Sequence, residues 1–269
     1  MLLILGLLVV GIFTGMLAGI FGIGGGTLFT PVLFLMFTSI GVEQPVAWTI
    51  GTSLFCTFAA ALSSSLQQAK HKNSFTSAGL QIGLLGAGGV YLGKMVSTST
   101  FYTEEVFVSV FALLLVFVAY LFYRRGKSTH VIESSSEPVP LNRSAIVGLG
   151  GGFVAALAGV GGGVVIVPSL NLGFRMNIAK AVSISSLAVL IISLSGWLQF
   201  ALFSGTAQGA TNYVIGFVDF GTALPLIIGA FAGGFLGVSA GQKIPQNKRQ
   251  VAFSVLALIV AGIMIYKII

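Results

Sequence analysis

Charge is what this sequence has least of. Of its 269 residues only 7% are Asp, Glu, Lys or Arg, against about 25% in soluble domains, while 56% are hydrophobic and the mean hydropathy is +1.04. That scarcity excludes a soluble fold. Cysteine is reduced to Cys56, inside an apolar segment, which excludes a disulfide framework and a cysteine metal cluster and reads as a small buried packing residue. The two histidines, His71 and His130, lie in polar connections, so no triad can be assembled within the apolar runs. No Asp or Glu sits deep in an apolar run, so the usual intramembrane carboxylate relay for protons is lacking. Asp219, near the outer end of its run, is the nearest exception and reads as a capping or hydrated group. The apolar N-terminus has no basic n-region and its pattern recurs in mid-chain, so it reads as structure and not as a signal peptide.

What is abundant is continuous apolar sequence. Runs close to the length of about 20 residues that a bilayer demands cover Ala47–Leu66, Ser77–Val96, Val106–Tyr123, Ala181–Phe203, Tyr213–Ala240 and Val251–Ile268. Their hydrophobicity is unbroken instead of alternating, so the spans are helices and not barrel strands. The formal charge of +7 reflects the bias of Lys and Arg toward cytoplasmic loops, and no nucleic-acid partner is expected.

The chain is duplicated. An offset of 137 aligns Gly11, Gly15, Gly22, Gly24, Gly25, Gly26 and Pro31 with Gly148, Gly152, Gly159, Gly161, Gly162, Gly163 and Pro168. Farther on, AWTIGTSL at Ala47–Leu54 resembles KAVSISSL at Lys180–Leu187, and GVYLG at Gly89–Gly93 resembles GFLG at Gly234–Gly237. This gives three parts: a membrane repeat over 1–123, a solvated Ser- and Pro-bearing linker over 124–143, and a second membrane repeat over 144–269. If the loops holding Lys70 and Lys72, Arg124 to Arg143, Arg175 and Lys180, and Lys243 to Arg249 are cytoplasmic, 11 of the 13 basic residues obey the positive-inside rule. The apolar stretches Met1–Phe37 and Ser144–Leu172 then each enter and leave by one side, as glycine-tipped re-entrant hairpins too short for two full crossings. Each half is one hairpin plus three transmembrane helices, an odd number of crossings, so the expected fold is an all-α integral membrane protein of two inverted repeats with both termini periplasmic.

Irregular backbone inside a membrane must be buried in protein or line a wet cavity, so the two hairpin tips should meet near the midplane. Gly24, Gly25, Gly26 and Gly161, Gly162, Gly163 permit positive φ, which lets successive amides point into one concavity. The helices that follow start at about Thr27 and Val164 and offer further free N–H groups, so an anion is the natural guest. Pro31 and Pro168 leave the carbonyls of Thr27 and Val164 without their usual partners. Hydroxyls at Thr49, Thr52, Ser53, Ser183, Ser185 and Ser186 complete the candidate donor set; bonding to their own helix carbonyls is the alternative reading of each. Gln199, Gln67 and Gln68 are weaker candidates of the same kind, Trp48 and Trp197 read as interfacial or packing residues, and Lys94 either snorkels or draws anions toward an outer vestibule. The row Gly229, Gly233, Gly237, Gly241, spaced by four, reads as a helix-packing face. No catalytic, metal or cofactor-binding residue is expected.

The segments GIFGIGGGTLFTP and LAGVGGGVVIVP, each followed by a Ser/Thr-rich span, with NYVIGFVDF ahead of the glycine-row helix, resemble the sulfite exporter TauE/SafE family over nearly the whole chain. The resemblance implies a bacterial inner-membrane carrier for sulfite or related sulfur compounds, organosulfonates included, with the two glycine motifs on the transport path. HKNSFTSAG in the first repeat lacks an acidic counterpart of Asp219, which speaks against a symmetric role for that residue. Two rival readings stand beside it. A channel also suits a chain without ionisable carriers. A membrane-embedded enzyme would need GVSAG at Gly237–Gly241 to act as a nucleophile motif, but no strand precedes it.

Overall fold

The computed structural model describes residues 2–21, 26–69, 76–127, 140–174, 176, 178–203 and 208–267. The apolar runs form helices because backbone surrounded by lipid has to satisfy its amides within its own segment. The first half consists of α1 (Leu2–Phe21), α2 (Gly26–Ser39), α3 (Pro45–Ala69), α4 (Thr76–Ser97) and α5 (Glu104–Lys127). The second repeats the series as α6 (Leu141–Ala158), α7 (Gly163–Pro168) running into a π-helical turn (Ser169–Gly173), α8 (Ile178–Ala201), α9 (Phe220–Gln242) and α10 (Gln246–Tyr266). A short antiparallel hairpin of β1 (Val214–Ile215) and β2 (Val218–Asp219) precedes α9.

Among the described residues, six stretches are long and apolar enough to cross a membrane: Pro45–Leu66, Glu104–Arg124, Leu141–Ala158, Lys180–Ala201, Phe220–Gly237 and Asn247–Tyr266. This set departs from the hydropathy reading at two points. Leu141–Ala158, expected as one arm of a hairpin, is a continuous helix of 18 residues. The run Ser77–Val96 does fold, as α4, but is not one of the six. The run read from Tyr213 is helical only from Phe220, because Val214–Asp219 turns back on itself at Gly216, φ +54°.

Helices pair across the two halves. α1 lies along α9, α6 along α4, α3 along α8 and α5 along α10, so exchanging the halves maps every one of these pairings onto another or onto itself. Rows of small residues permit the close approaches: Gly229, Gly233 and Gly237 face the backbone of Leu8, Ile12 and Met16, and Gly86, Gly89 and Gly93 face the backbone of Gly148, Leu149 and Phe153. In both pairs residue numbers rise together, so the partners run parallel. Trp48, Phe34, Phe37, Phe107 and Phe111 fill the interior, and apolar side chains such as Leu113 and Ile146, each 74% exposed, form the belt that lipid covers.

The charged groups separate between the two ends of the bundle. Phe122 of α5 stacks edge-on with Phe253 of α10 at 4.8 Å, and Lys267 Nζ bonds Ser39 Oγ at 2.7 Å, which fixes how those helices run. Arg124, Arg143, Lys180, Lys243, Lys248 and Arg249 occupy the end where α5 and α9 finish and α6, α8 and α10 begin. Glu43, Glu104, Glu105 and Asp219 lie at the opposite end, with Lys94 and Lys267.

Candidate functional site

The second glycine motif is a backbone reversal that only glycine accommodates. Gly159 ends α6 at φ +69°, and Gly161 and Gly162 follow at +69° and +78°, in the left-handed region that is strained for side-chain-bearing residues. A methyl group at Gly162 would also stand 2.5 Å from the Gly151 carbonyl oxygen, so the return strand lies against α6 with no room for a side chain. The Gly159 carbonyl accepts bonds from Ser53 Oγ at 2.8 Å and Thr30 Oγ1 at 3.2 Å, and these two hydroxyls are 2.9 Å apart. The second half's turn is thereby held by two side chains of the first.

The described edge of the first motif meets the same place. A methyl at Gly26, the first residue of α2, would stand 2.8 Å from Thr57 Oγ1 and 2.9 Å from the Val160 carbonyl oxygen. A methyl at Gly161 would meet Thr57 Cγ2 at 2.6 Å and Val189 Cγ1 at 3.1 Å. Thr57 falls at the middle of the 25 residues of α3, and Val189 at the middle of the 24 of α8. The two motifs therefore converge halfway along α3 and α8. At this level Thr57 Oγ1 and Thr27 Oγ1 are buried without a hydrogen-bond partner among the described residues, as is Thr49 Oγ1 two turns along α3. Such a group left unpaired costs about 1–3 kcal/mol; Ser65, Ser144 and Thr222 carry buried hydroxyls of the same kind elsewhere among the described residues, and those of Thr27 and Thr57 are the ones beside the glycine motifs. The first intrahelical bonds of α7 run from Val165 and Ile166 to the Gly162 carbonyl, which leaves the amides of Gly163 and Val164 ahead of the helical ladder.

Several expected donors are engaged elsewhere. Gly24 and Gly25 lie outside the described residues. Thr52 Oγ1 accepts the Asp219 amide at 3.1 Å, and Ser53 is spent on Gly159. Ser186 Oγ donates to the Ser183 carbonyl at 2.9 Å, a bond within its own helix. Ser183 is half-buried on α8 and Val164 half-buried on α7, while Ser185 Oγ would lie 3.6 Å from a methyl at Gly163, on the edge of the convergence. Gln199 Nε2 donates to Ser195 Oγ at 2.8 Å, and the side chains of Gln67 and Gln68 lie outside the described residues. Trp48 packs on Phe37 and Phe217, and Trp197 on Phe55, Phe58 and Phe220. Thr30 and Thr57 were not among the residues singled out from the sequence. A signal existed, since Thr49, Ser53 and Thr57 recur every four residues and share one face of α3.

Asp219 is wholly buried, yet it is a cap. Its carboxylate accepts the Thr211 amide at 2.9 Å, the Thr211 hydroxyl at 2.5 Å and the Thr222 amide at 3.0 Å, so it closes the first turn of α9 onto the loop before β1. Lys94 Nζ rests over the Phe203 ring, 4.8 Å from its centroid. Ser239 is exposed and donates to the Phe235 carbonyl of its own helix.

A bundle of membrane-length helices whose two glycine breaks converge halfway along its core helices, among buried hydroxyls, is the architecture of a polytopic helical membrane transporter. The chain belongs to the sulfite exporter TauE/SafE family, whose model matches residues 7–264. It is 30% identical over 253 residues to a probable membrane transporter protein of Methanocaldococcus jannaschii, covering 94% of this chain and 92% of the relative. It is 28% identical over 275 residues to the probable membrane transporter protein YunE of Bacillus subtilis, covering 95% and 94% of the two chains. A probable membrane transporter protein of Haemophilus influenzae is 27% identical over 267 residues, with 94% and 95% covered. No solved structure matches the chain.

Proposed function

We propose that this protein carries a small anion, a sulfur oxyanion such as sulfite or an organosulfonate, out of a bacterial cell across the inner membrane, by alternating access around the two glycine motifs. The observation that carries this reading is the pair of unpartnered hydroxyls of Thr27 and Thr57 beside Gly26, with Thr49 farther along α3. Neutral donors suit an anion in transit, because they replace part of its hydration without trapping it as a buried counter-ion would. The amides of Gly163 and Val164 add main-chain donors, and Ser185 a further hydroxyl at the edge. Ser53 supports the site from behind, through its bond to the Gly159 carbonyl.

In this reading the end carrying Lys243, Lys248 and Arg249 is cytoplasmic, by the positive-inside rule. The linker over 124–143 is then cytoplasmic, both termini are periplasmic, and the repeats over 1–123 and 144–269 are inverted. The pairing of α1 with α9 and of α6 with α4, which exchange under a two-fold, is what inverted repeats would produce. With no coupling ion, an inside-negative potential drives a monovalent anion outward by about 2.3 kcal/mol per 100 mV, so export is the default direction.

The test is flux of sulfite by the purified protein in liposomes, beside thermal shifts with sulfite, sulfate, thiosulfate, sulfoacetate and simple carboxylates. Saturable, potential-sensitive flux with a shift confined to sulfur oxyanions or sulfonates is expected. Flux that never saturates would make the protein a channel, and absence of both flux and shift with every sulfur anion would end the reading.

A further inference from the structure

The two long helices that lead into the glycine motifs end in matching ways, with one difference. Leu157, near the end of α6, offers its carbonyl to the Tyr102 hydroxyl at 3.0 Å, and Tyr102 comes from the connection before α5 in the other half. Ile20, near the end of α1, offers its carbonyl to Arg249 Nη1 at 3.4 Å, and Arg249 comes from the first turn of α10, again in the other half. Ile20 and Leu157 stand one repeat offset, 137, apart in the sequence. One half thus caps with a neutral phenol, the other with a guanidinium.

Capping alone does not require the cation, because Tyr102 does the same work without one. Arg249 also has donors to spare: its Nε is buried and has no partner among the described residues. A guanidinium N–H edge removed from water and left empty is expensive, whereas facing an oxyanion it forms a strong charge-assisted bond. The surroundings favour an anion too. Lys243 and Lys248 are exposed at the same end, and the described carboxylates Glu43, Glu104, Glu105 and Asp219 all lie at the other.

We propose that Arg249 is an anion-binding residue at the basic end of the pathway, receiving the oxyanion on its Nε edge while Nη1 stays on the Ile20 carbonyl. This rests on the anion-transport reading above and adds to it a first contact outside the glycine site. The matching position at the opposite end, Tyr102, offers no charge, so the pathway binds its cargo more tightly at the basic end than at the acidic one.

The experiment compares wild type, Arg249→Lys, Arg249→Gln and Tyr102→Phe in proteoliposomes, with sulfite entering from the basic end. Arg249→Gln should raise the KM for sulfite by about tenfold or more with little change in maximal rate, in line with loss of a charge-assisted bond. Arg249→Lys should recover part of that loss, since it keeps the charge but not the planar fork. Tyr102→Phe should lower the melting temperature and leave KM unchanged. A wild-type KM in folded Arg249→Gln overturns the proposal while leaving the transport reading intact; a wild type that neither moves nor binds any sulfur anion removes both. Should Arg249→Gln fail to fold, phenylglyoxal modification of Arg249 in the wild type, followed by peptide mass spectrometry, decides: because sulfite also consumes the reagent, the rate at Arg249 is read relative to Arg124 in the same sample, and slowing of that ratio by sulfite supports the contact while an unaltered ratio rejects it.

Discussion

Replacing Thr57 with valine separates a transport role from a structural one, because the two predict opposite signs. Valine has the same shape, so Gly26 and Gly161, which would place methyl groups 2.8 Å from Oγ1 and 2.6 Å from Cγ2, keep their packing. What disappears is a buried hydroxyl, 4% exposed, that no described residue bonds. An orphan of this kind costs about 1–3 kcal/mol, so Thr57→Val should melt at the same temperature as the wild type or higher. For a bound anion the same change removes one hydrogen bond of about 0.5–1.5 kcal/mol, equivalent to roughly a two- to tenfold weaker apparent affinity. The assay pairs thermal unfolding in detergent with concentration-dependent sulfite flux in liposomes. A variant that is firmer and transports less well meets the expectation. One that loses more than about 1 kcal/mol of stability with unchanged KM would mean that the hydroxyl has a structural partner, and the site would have to be sought elsewhere.

Gly162→Ala combines a left-handed backbone, worth about 1–2 kcal/mol for a residue with a Cβ, with a methyl pressed against the Gly151 carbonyl; low yield or abolished flux is expected, while Ser239→Ala should behave as wild type in the same expression and flux assays. Ser53→Ala and Thr30→Val each remove one of two bonds on the Gly159 carbonyl, so each should cost about 1 kcal/mol, and the double variant should cost more than the sum, read by a thermal double-mutant cycle. Asp219→Asn sets an amide N–H against the donors of Thr211 and Thr222; a loss of about 1–3 kcal/mol in thermal stability with an unaltered KM for sulfite is the expected pattern of a cap.

The helical membrane character was legible because lipid allows few solutions: continuous apolar runs must be helices, and that followed from composition. The glycine motifs were legible as motifs because the same pattern stands twice in the sequence, 137 residues apart. Their surroundings were less so. Thr52 and Ser53 are adjacent in sequence and look interchangeable, yet one receives the Asp219 amide and the other holds the Gly159 carbonyl. Which way each hydroxyl points depends on neighbours from the opposite half, and a helical repeat does not encode that. Asp219 was legible as a cap, but its full burial was not, because hydropathy merged Tyr213–Asp219 into the following helix and set the residue at an apolar margin.

The pairing of α1 with α9 has a consequence for biogenesis. Gly229, against which Leu8 packs, is made about 220 residues after it, which at about 5–20 residues per second means roughly 10 to 45 s of translation. Through that interval the small-residue face of α1 has no mate in the chain, and lipid or an insertion factor has to stand in. Nascent molecules arrested before α9 should therefore present α1 to whatever quality control surveys the membrane, and cutting the gene between the repeats would yield two products that need each other to mature.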